Sequence, residues 1–127
     1  MKKVVVLVLI IFLIPSVSMA RSYWGALAYD KQTGRSASSV NHYTPHQAKR
    51  AAIRRCGHHC RIVATFVNTC IALARASHGS YGVSRNRNLY TARRYARLQC
   101  RRYRGHGCRV LISACNDRRH YRPLRHH

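Results

Sequence analysis

The sequence contains one cysteine-centred pattern twice. In each copy, two alanines and a cysteine recur at four-residue intervals, and a second and a third cysteine follow. The four-residue interval places the alanines and the first cysteine on one face of a helix. The first copy is Ala48, Ala52, Cys56, Cys60 and Cys70, and the second is Ala92, Ala96, Cys100, Cys108 and Cys115. Because all six cysteines belong to these copies, the sequence predicts a duplicated fold with two similar helices.

Residues 1–20 have the organisation of a secretory signal peptide. Lys2 and Lys3 supply positive charge, residues 4–14 are an unbroken apolar run, and Ser18 and Ala20 are small residues at the cleavage positions. The apolar run is too short to cross a hydrocarbon core of about 30 Å as a helix. The sequence therefore predicts a secreted or periplasmic protein with no transmembrane helix after signal cleavage, in preference to an uncleaved N-terminal anchor.

Residues 21–115 are predicted to form one duplicated α+β domain, with repeats at about 23–70 and 71–115. In each repeat a β-hairpin precedes the alanine helix and a strand follows it. Thr44 and Asn88 suit the N-caps of the two helices. The simplest arrangement is a pseudo-twofold domain with intertwined halves. Residues 116–127 have no apolar periodicity and are predicted to be a mobile basic His/Arg tail.

An even number of cysteines in an exported chain predicts disulfides. A bridge between Cys60 and Cys70 is disfavoured because these residues lie at opposite ends of one predicted strand. Two symmetric pairings stay open. One joins Cys56–Cys60, Cys100–Cys108 and Cys70–Cys115, with the last bridge linking the two halves. The other joins Cys56–Cys70, Cys100–Cys115 and Cys60–Cys108.

The charge balance is strongly basic. The chain has 24 lysines and arginines, two acidic residues and a formal net charge of +22, which becomes +20 once Lys2 and Lys3 are removed with the signal peptide. The acids, Asp30 and Asp117, cannot neutralise this charge. A fold with so much self-repulsion indicates surroundings that supply anions. Arginine favours planar, bidentate contacts with phosphate, sulfate or carboxylate.

The second alanine helix carries the densest charge and is the candidate binding surface. Arg93, Arg97 and Arg101 recur every four residues and therefore share a face. Tyrosines lie between the arginines, so phosphate contact and ring stacking could combine. The alternative is a solvated helix face with its tyrosines packed into the core. The predicted anion-binding residues are Arg93, Arg94, Arg97, Arg101, Arg102 and Arg104, with Arg50, Arg54 and Arg55 on the matching helix.

Three stretches carry a family resemblance. The start Trp24–Tyr29 (WGALAY), the two Ala-x3-Ala-x3-Cys helices and the junction 70–74 (CIALA) together resemble domain of unknown function 4189, a family of small exported bacterial proteins. The resemblance spans about 23–115. It implies a secreted or periplasmic disulfide-bonded domain with a duplicated core and no agreed activity. It supplies no catalytic residues, and the high arginine content departs from the family pattern.

No catalytic signature stands out. Two acids almost exclude paired-carboxylate hydrolysis, and no nucleophile elbow is present. His58 and His59, between Cys56 and Cys60, are ligand types that suit Zn²⁺, but a disulfide loop with exposed histidines is the preferred interpretation. The sequence therefore predicts no metal and no small-molecule cofactor. A small basic nuclease that uses histidine is the enzymatic alternative.

These observations predict an exported, non-enzymatic domain that binds anionic surfaces or polymers. The expected partners are lipopolysaccharide, phospholipid headgroups, glycans or nucleic acid, without readout of nucleotide sequence. A second hypothesis is a secreted effector or inhibitor whose basic face docks on an acidic protein.

Overall fold

A computed structural model describes residues 22–116 of the protein. The signal peptide predicted at 1–20 and residues 117–127 of the predicted tail lie outside the described residues. The two halves have the same order of hairpin, helix and strand, which confirms the α+β class. The strands are β1 (Trp24–Tyr29), β2 (Ser36–His42), β3 (Arg61–Val67), β4 (Cys70–Arg75), β5 (Tyr81–Asn86) and β6 (Arg109–Cys115); the helices are α1 (Pro45–Cys56) and α2 (Leu89–Arg102).

The strands form two antiparallel sheets of three. Sheet A has the order β2-β1-β3 and sheet B the order β5-β4-β6. Each sheet takes its strands from one continuous half of the chain, so the prediction of intertwined halves was wrong. The reason is local: each helix returns the chain to the free edge of its own hairpin. Ala28 pairs with Ile62 and Ala74 with Val110, and a register shift precedes both pairs.

The side chains of β1 alternate between two cores, as the twofold period of a strand requires. Ala26 and Ala28 pack against α1. Leu27 and Tyr29 point to the opposite face, where they meet Ile71 and other residues of sheet B. In sheet B, alanines of β4 pack on α2 in the same way. The domain therefore has four layers in the order helix, sheet, sheet, helix.

Small residues let each helix lie close to its sheet. Gly82 in β5 shows the constraint: a Cβ atom added there would lie 2.3 Å from the backbone nitrogen of Cys100 in α2. On the other sheet the hydroxyl of Ser39 donates to the carbonyl oxygen of Ala48 in α1 over 2.6 Å. The buried positions of both helices are consequently alanine and cysteine, and the larger Ile53 of α1 is only partly buried against this core.

The predicted helix starts are confirmed. Thr44 precedes α1, and its hydroxyl accepts a hydrogen bond from the backbone N–H of Gln47 at 3.2 Å. Asn88 precedes α2, and its side chain accepts from the N–H of Thr91 at 3.2 Å. Each side chain satisfies an N–H that has no partner within the helix.

The first of the two predicted cysteine pairings is confirmed. The disulfides are Cys56–Cys60, Cys70–Cys115 and Cys100–Cys108. The prediction that the Cys70–Cys115 bridge links the two halves was wrong. Cys70 lies at the start of β4 and pairs in register with Cys115 in β6, so the bridge joins two strands of sheet B and does not link the halves.

The error in placing Cys70 has a specific cause at Asn68. The strand predicted to continue to Cys70 ends at Val67, where Asn68 adopts a positive φ of 50°. Asparagine tolerates this left-handed conformation better than most residues. The backbone N–H of Asn68 donates to the carbonyl oxygen of Tyr23, and its side chain accepts from the N–H of Tyr23. The chain therefore turns at Asn68 and starts β4 at Cys70.

Asn116 connects the two halves. It is fully buried, donates its side-chain amide to the carbonyl oxygen of Phe66 at 2.9 Å, and accepts from the N–H of Asn41 at 3.0 Å. The prediction that the tail begins at Asn116 was therefore wrong for this residue, because its amide is part of the folded domain. Within residues 22–116, neither helix has the length and apolarity needed to cross a membrane.

Candidate anion-binding surface

The residues that α2 buries determine which part of its circumference, called the outward arc below, faces away from sheet B. Ala92, Ala96 and Cys100 are fully buried against sheet B. At 100° per residue these three positions occupy a narrow inner stripe. The rest of the helix circumference carries charged, polar, aromatic and leucine side chains, which the short distance between helix and sheet keeps out of the core.

Most of the arginines predicted on α2 lie on this arc. Arg94, Arg101 and Arg102 are exposed on the helix, and Arg104 is exposed in the turn that follows. Arg93 and Arg97 are half-buried at the side of the helix. Arg93 has a structural contact, since its Nε donates to the hydroxyl of Ser113 in β6 at 3.1 Å.

The three arginines predicted on α1 do not join this surface. Arg50, Arg54 and Arg55 are exposed, but α1 covers sheet A on the opposite outer layer of the domain. Arg50 and Arg54 line a separate hollow of about 390 Å³ with His42 and Gln47. Arg55 donates from Nη1 to the carbonyl oxygen of Ser38 at 2.9 Å, which ties it to β2. The domain thus has two cationic surfaces that face opposite ways.

The tyrosines of the second half are on the surface. Tyr90, Tyr95 and Tyr103 are 63%, 51% and 66% exposed. The alternative in which these rings pack into the core is therefore wrong. The close approach of α2 to sheet B leaves no space for a ring on the inner face. The rings therefore lie on the outer surface of the second half, among the arginines.

Asp30, the one acidic residue within 22–116, is already engaged at the β1–β2 turn. Its carboxylate accepts from the hydroxyl of Thr33 at 2.7 Å and from the N–H of Gln32 at 3.0 Å. The Thr33 hydrogen bond is the main cause that holds the pKa of Asp30 below its usual value, and the nearby charge of His59 acts in the same direction. Asp30 therefore does not neutralise the arginines of α2.

A groove of about 570 Å³ lies beside the C-terminal end of α2. Sequence reasoning missed it because its walls come from both halves of the chain. The one local signal was Gly82 within a strand, which often marks a close approach of backbones. The residues that line the groove are Lys31, Val63, Ser80, Tyr81, Gly82, Val83, Gln99 and Tyr103.

The histidine pair lies on the loop between α1 and β3. The rings of His58 and His59 are 4.1 Å apart between their centroids. The sulfurs of Cys56 and Cys60 are joined in a disulfide and are not available as thiolate ligands. Across the part of the chain that the structure describes, no three His, Cys, Asp or Glu side chains are grouped as metal ligands.

Fold and surface together define a small disulfide-bonded α+β domain with a cationic, tyrosine-bearing outer helix. The profile of the family described as Domain of unknown function (DUF4189) matches residues 24–115, and the chain belongs to this family. The NMR structure of Rv1813c from Mycobacterium tuberculosis is similar, with a TM-score of 0.51 and 26% identity over 74% of this chain and 75% of that one. No curated protein matches the sequence significantly.

Proposed function

We propose that this protein is an exported, non-enzymatic domain that binds anionic surfaces or polymers through the outer face of α2. Lipopolysaccharide, phospholipid headgroups, glycans and nucleic acid share the required chemistry. The observation that carries the proposal is the exposed group Arg94, Arg101 and Arg102 on one helix, with the single described acid held elsewhere. Export is supported by the three disulfides, which persist in oxidising compartments.

The electrostatics of α2 favour a bound anion. Like charges three or four residues apart destabilise an isolated helix by roughly 0.2–0.5 kcal/mol per pair. Arg94 and Arg97, and Arg97 and Arg101, have this spacing. An anion placed over them replaces repulsion by charge-assisted hydrogen bonds. Arg101 and Arg102 also lie in the last turn, where the helix dipole favours positive charge. The helix thus tolerates its charge while free and gains stability when an anion binds.

We also propose that the domain is a duplication of one hairpin–helix–strand unit and that the two units are related by pseudo-twofold symmetry. It is supported by the equal order of elements and by the register shifts that precede Ala28 and Ala74. Under this symmetry the strand pair Trp24–Val67 of sheet A is equivalent to the pair Cys70–Cys115 of sheet B, since each is the terminal pair between its two strands. A superposition of the two halves in an experimental structure tests it. Helices that cross their sheets at unrelated angles would contradict it.

The binding experiment measures affinity for heparin over a salt series. We expect tight binding at low salt and a steep linear loss of log affinity with log salt, because binding releases counterions. The variant Arg94→Gln/Arg101→Gln/Arg102→Gln should lower the slope by about one for each lost contact. A matched variant on the opposite layer, Lys49→Gln/Arg50→Gln/Arg54→Gln, removes the same charge and should change the slope less.

Two outcomes would reject the proposal. Absence of binding at low salt would reject anion binding altogether, and equal effects of the two triple variants would reject α2 as its site. Incubation with RNA and single-stranded DNA, with and without a chelator, tests the enzymatic alternative, and both polymers should stay intact. Capture of one acidic protein that excess heparin does not displace would favour the protein-partner hypothesis.

A further inference from the structure

The outer face of α2 exposes apolar surface as well as charge, and α1 does not. Leu98 is 40% exposed and Tyr95 is 51% exposed on α2. The exposed residues of α1 are all polar: His46, Gln47, Lys49, Arg50, Arg54 and Arg55. Both helices bury an alanine stripe on a sheet, so solvation alone does not explain the difference. A partner that only supplies anionic groups would use an outer face like that of α1.

The exposed apolar residues of α2 form one patch with the arginines. Leu98 lies 200° around the helix from buried Ala96, and it therefore points almost directly away from sheet B. Arg94 and Arg102 are its neighbours one turn before and one turn after, at i−4 and i+4. Tyr95 at i−3 and Arg101 at i+3 complete the surroundings. An aliphatic side chain thus occupies the outermost position, with three guanidinium groups and a phenol ring around it.

We propose that this patch docks on the surface of an anionic lipid bilayer. Leu98 and the ring of Tyr95 enter the boundary between headgroups and acyl chains, and Arg94, Arg101 and Arg102 contact lipid phosphates. The inference rests on the anion-binding function proposed above and names the partner for that same surface. Charge complementarity selects anionic lipid, and α2 forms an outermost layer of the domain, so a flat surface can reach it without obstruction.

The patch fits a bilayer better than it fits other polyanions. Sulfated glycans supply charge but no apolar layer for Leu98. Single-stranded nucleic acid can stack a base on Tyr95, but an aliphatic side chain has no ring to stack. A membrane interface suits all of these side chains. Leu98 can enter the apolar layer, while tyrosine and arginine place their apolar parts below the headgroups and their polar ends at the headgroup level.

The test compares binding to two probes, heparin and vesicles of phosphatidylglycerol mixed with phosphatidylcholine. The variant Tyr95→Ser/Leu98→Ser keeps every arginine. We expect its heparin affinity to stay within about twofold of wild type and its vesicle affinity to fall by about tenfold or more, as burial of a leucine side chain implies. The control Val67→Ser/Leu111→Ser removes exposed apolar side chains outside α2, and its vesicle affinity should be unchanged.

A fluorescence measurement reports insertion directly. Leu98→Trp should show a blue-shifted emission with anionic vesicles and no shift with heparin, after subtraction of the wild-type signal of Trp24. Circular dichroism of each variant confirms that it folds. These readouts separate entry of the side chain into the bilayer from simple attraction between charges.

The possible failures are distinguishable. Wild-type protein that binds neither probe overturns the proposed anion binding itself. Heparin binding that persists, together with vesicle binding that is unaffected by Tyr95→Ser/Leu98→Ser, overturns the lipid inference alone. A parallel titration with single-stranded DNA gives the third outcome: if this variant loses more affinity for the DNA than for vesicles, the lipid inference is overturned and base stacking is identified as the role of the patch.

Discussion

The side-chain amide of Asn116 donates to the backbone carbonyl of Phe66, 50 residues earlier, over 2.9 Å. The same side chain accepts from the N–H of Asn41. One buried asparagine after the last strand therefore joins sheet B to two strands of sheet A. Its contacts are worth more than an average surface hydrogen bond, because a buried polar group that loses its partner cannot turn to water.

Replacement of this residue should be costly. We expect Asn116→Ala to lower the free energy of unfolding by about 1–3 kcal/mol, since it removes a buried side chain that accepts from the Asn41 N–H and donates to the Phe66 carbonyl. Urea unfolding monitored by circular dichroism measures the change. Gln32→Ala, at an exposed turn position, is the control and should stay within about 0.5 kcal/mol. Equal effects of the two substitutions would contradict the role assigned to Asn116.

The disulfides should differ in their contribution to stability. Cys70–Cys115 closes a separation of 45 residues and Cys56–Cys60 one of 4. In the chain-entropy model their removal costs about 4 and about 2 kcal/mol. Unfolding of Cys70→Ala/Cys115→Ala and of Cys56→Ala/Cys60→Ala, with the remaining bridges intact, gives the two values. The opposite ranking would show that the contribution does not come from restriction of the unfolded chain.

Tyr29 should make stability sensitive to alkaline pH. Its phenol donates to the carbonyl oxygen of Gly79 and accepts from Nε of Arg75 at 2.9 Å. Burial raises the pKa of Tyr29, and Arg75 opposes this in part. The folded state therefore favours the neutral phenol, and its contribution is present below about pH 10 and declines as the pH rises through the raised pKa.

The variant Tyr29→Phe tests both the contribution of the phenol hydrogen bonds and the direction of the pKa shift. It should be less stable than wild type by about 1.5–3 kcal/mol near neutral pH, because a hydrogen bond to a charged group is lost. The difference should shrink in urea titrations above pH 10. Tyr103→Phe, at an exposed ring, should match wild type across the range. A gap that widens with rising pH would mean that the sign of the pKa shift is wrong.

Asp30 should make stability sensitive to acid. Its lowered pKa means that the folded state favours the carboxylate, so its contribution is present above the usual pKa and is lost as the pH falls through the folded value. Asp30→Asn should reduce the urea midpoint at pH 7, and the difference should vanish at strongly acidic pH. Thr33→Ala removes the main cause of the shift, so the loss of stability in acid should be smaller and should be complete at a higher pH. An unchanged acid profile in Thr33→Ala would exclude the hydroxyl as that cause.

Local signals in the sequence were sufficient for most of the elements. The caps Thr44 and Asn88, the alanine stripes and the β-rich segments depend on neighbours within a few residues, so the order of elements could be derived. The cysteine pairing could be reduced only to two symmetric sets, between which the structure decides. The position of Cys70 could not, because the turn at Asn68 is held by Tyr23, 45 residues away. The sequence also predicts a strand that continues through this turn, since nothing between Val67 and Cys70 is a glycine or a proline.

The candidate surface was predictable in part. The four-residue spacing of Arg93, Arg97 and Arg101 predicts that these charges share one side of a helix. The exposure of Tyr95 and Leu98 depends on how closely α2 approaches Gly82, which is a tertiary property. The sequence could not show that α1 and α2 lie on opposite outer faces of the domain. That placement depends on the four-layer packing, which an apolar run such as β1 does not reveal. The alternation of Leu27 and Ala28 gives two faces but does not say what covers each one.

The bridge between Cys70 and Cys115 makes residues 70–115 a covalent ring, and this ring contains α2 and the Cys100–Cys108 disulfide. When the chain is pulled from its two ends, tension passes through the bridge and bypasses the ring. The half that contains α1 has no such closure and extends first. A single proteolytic cut within the ring likewise leaves both fragments attached. The helix proposed to bind anions is therefore the element that mechanical stress and limited proteolysis remove last.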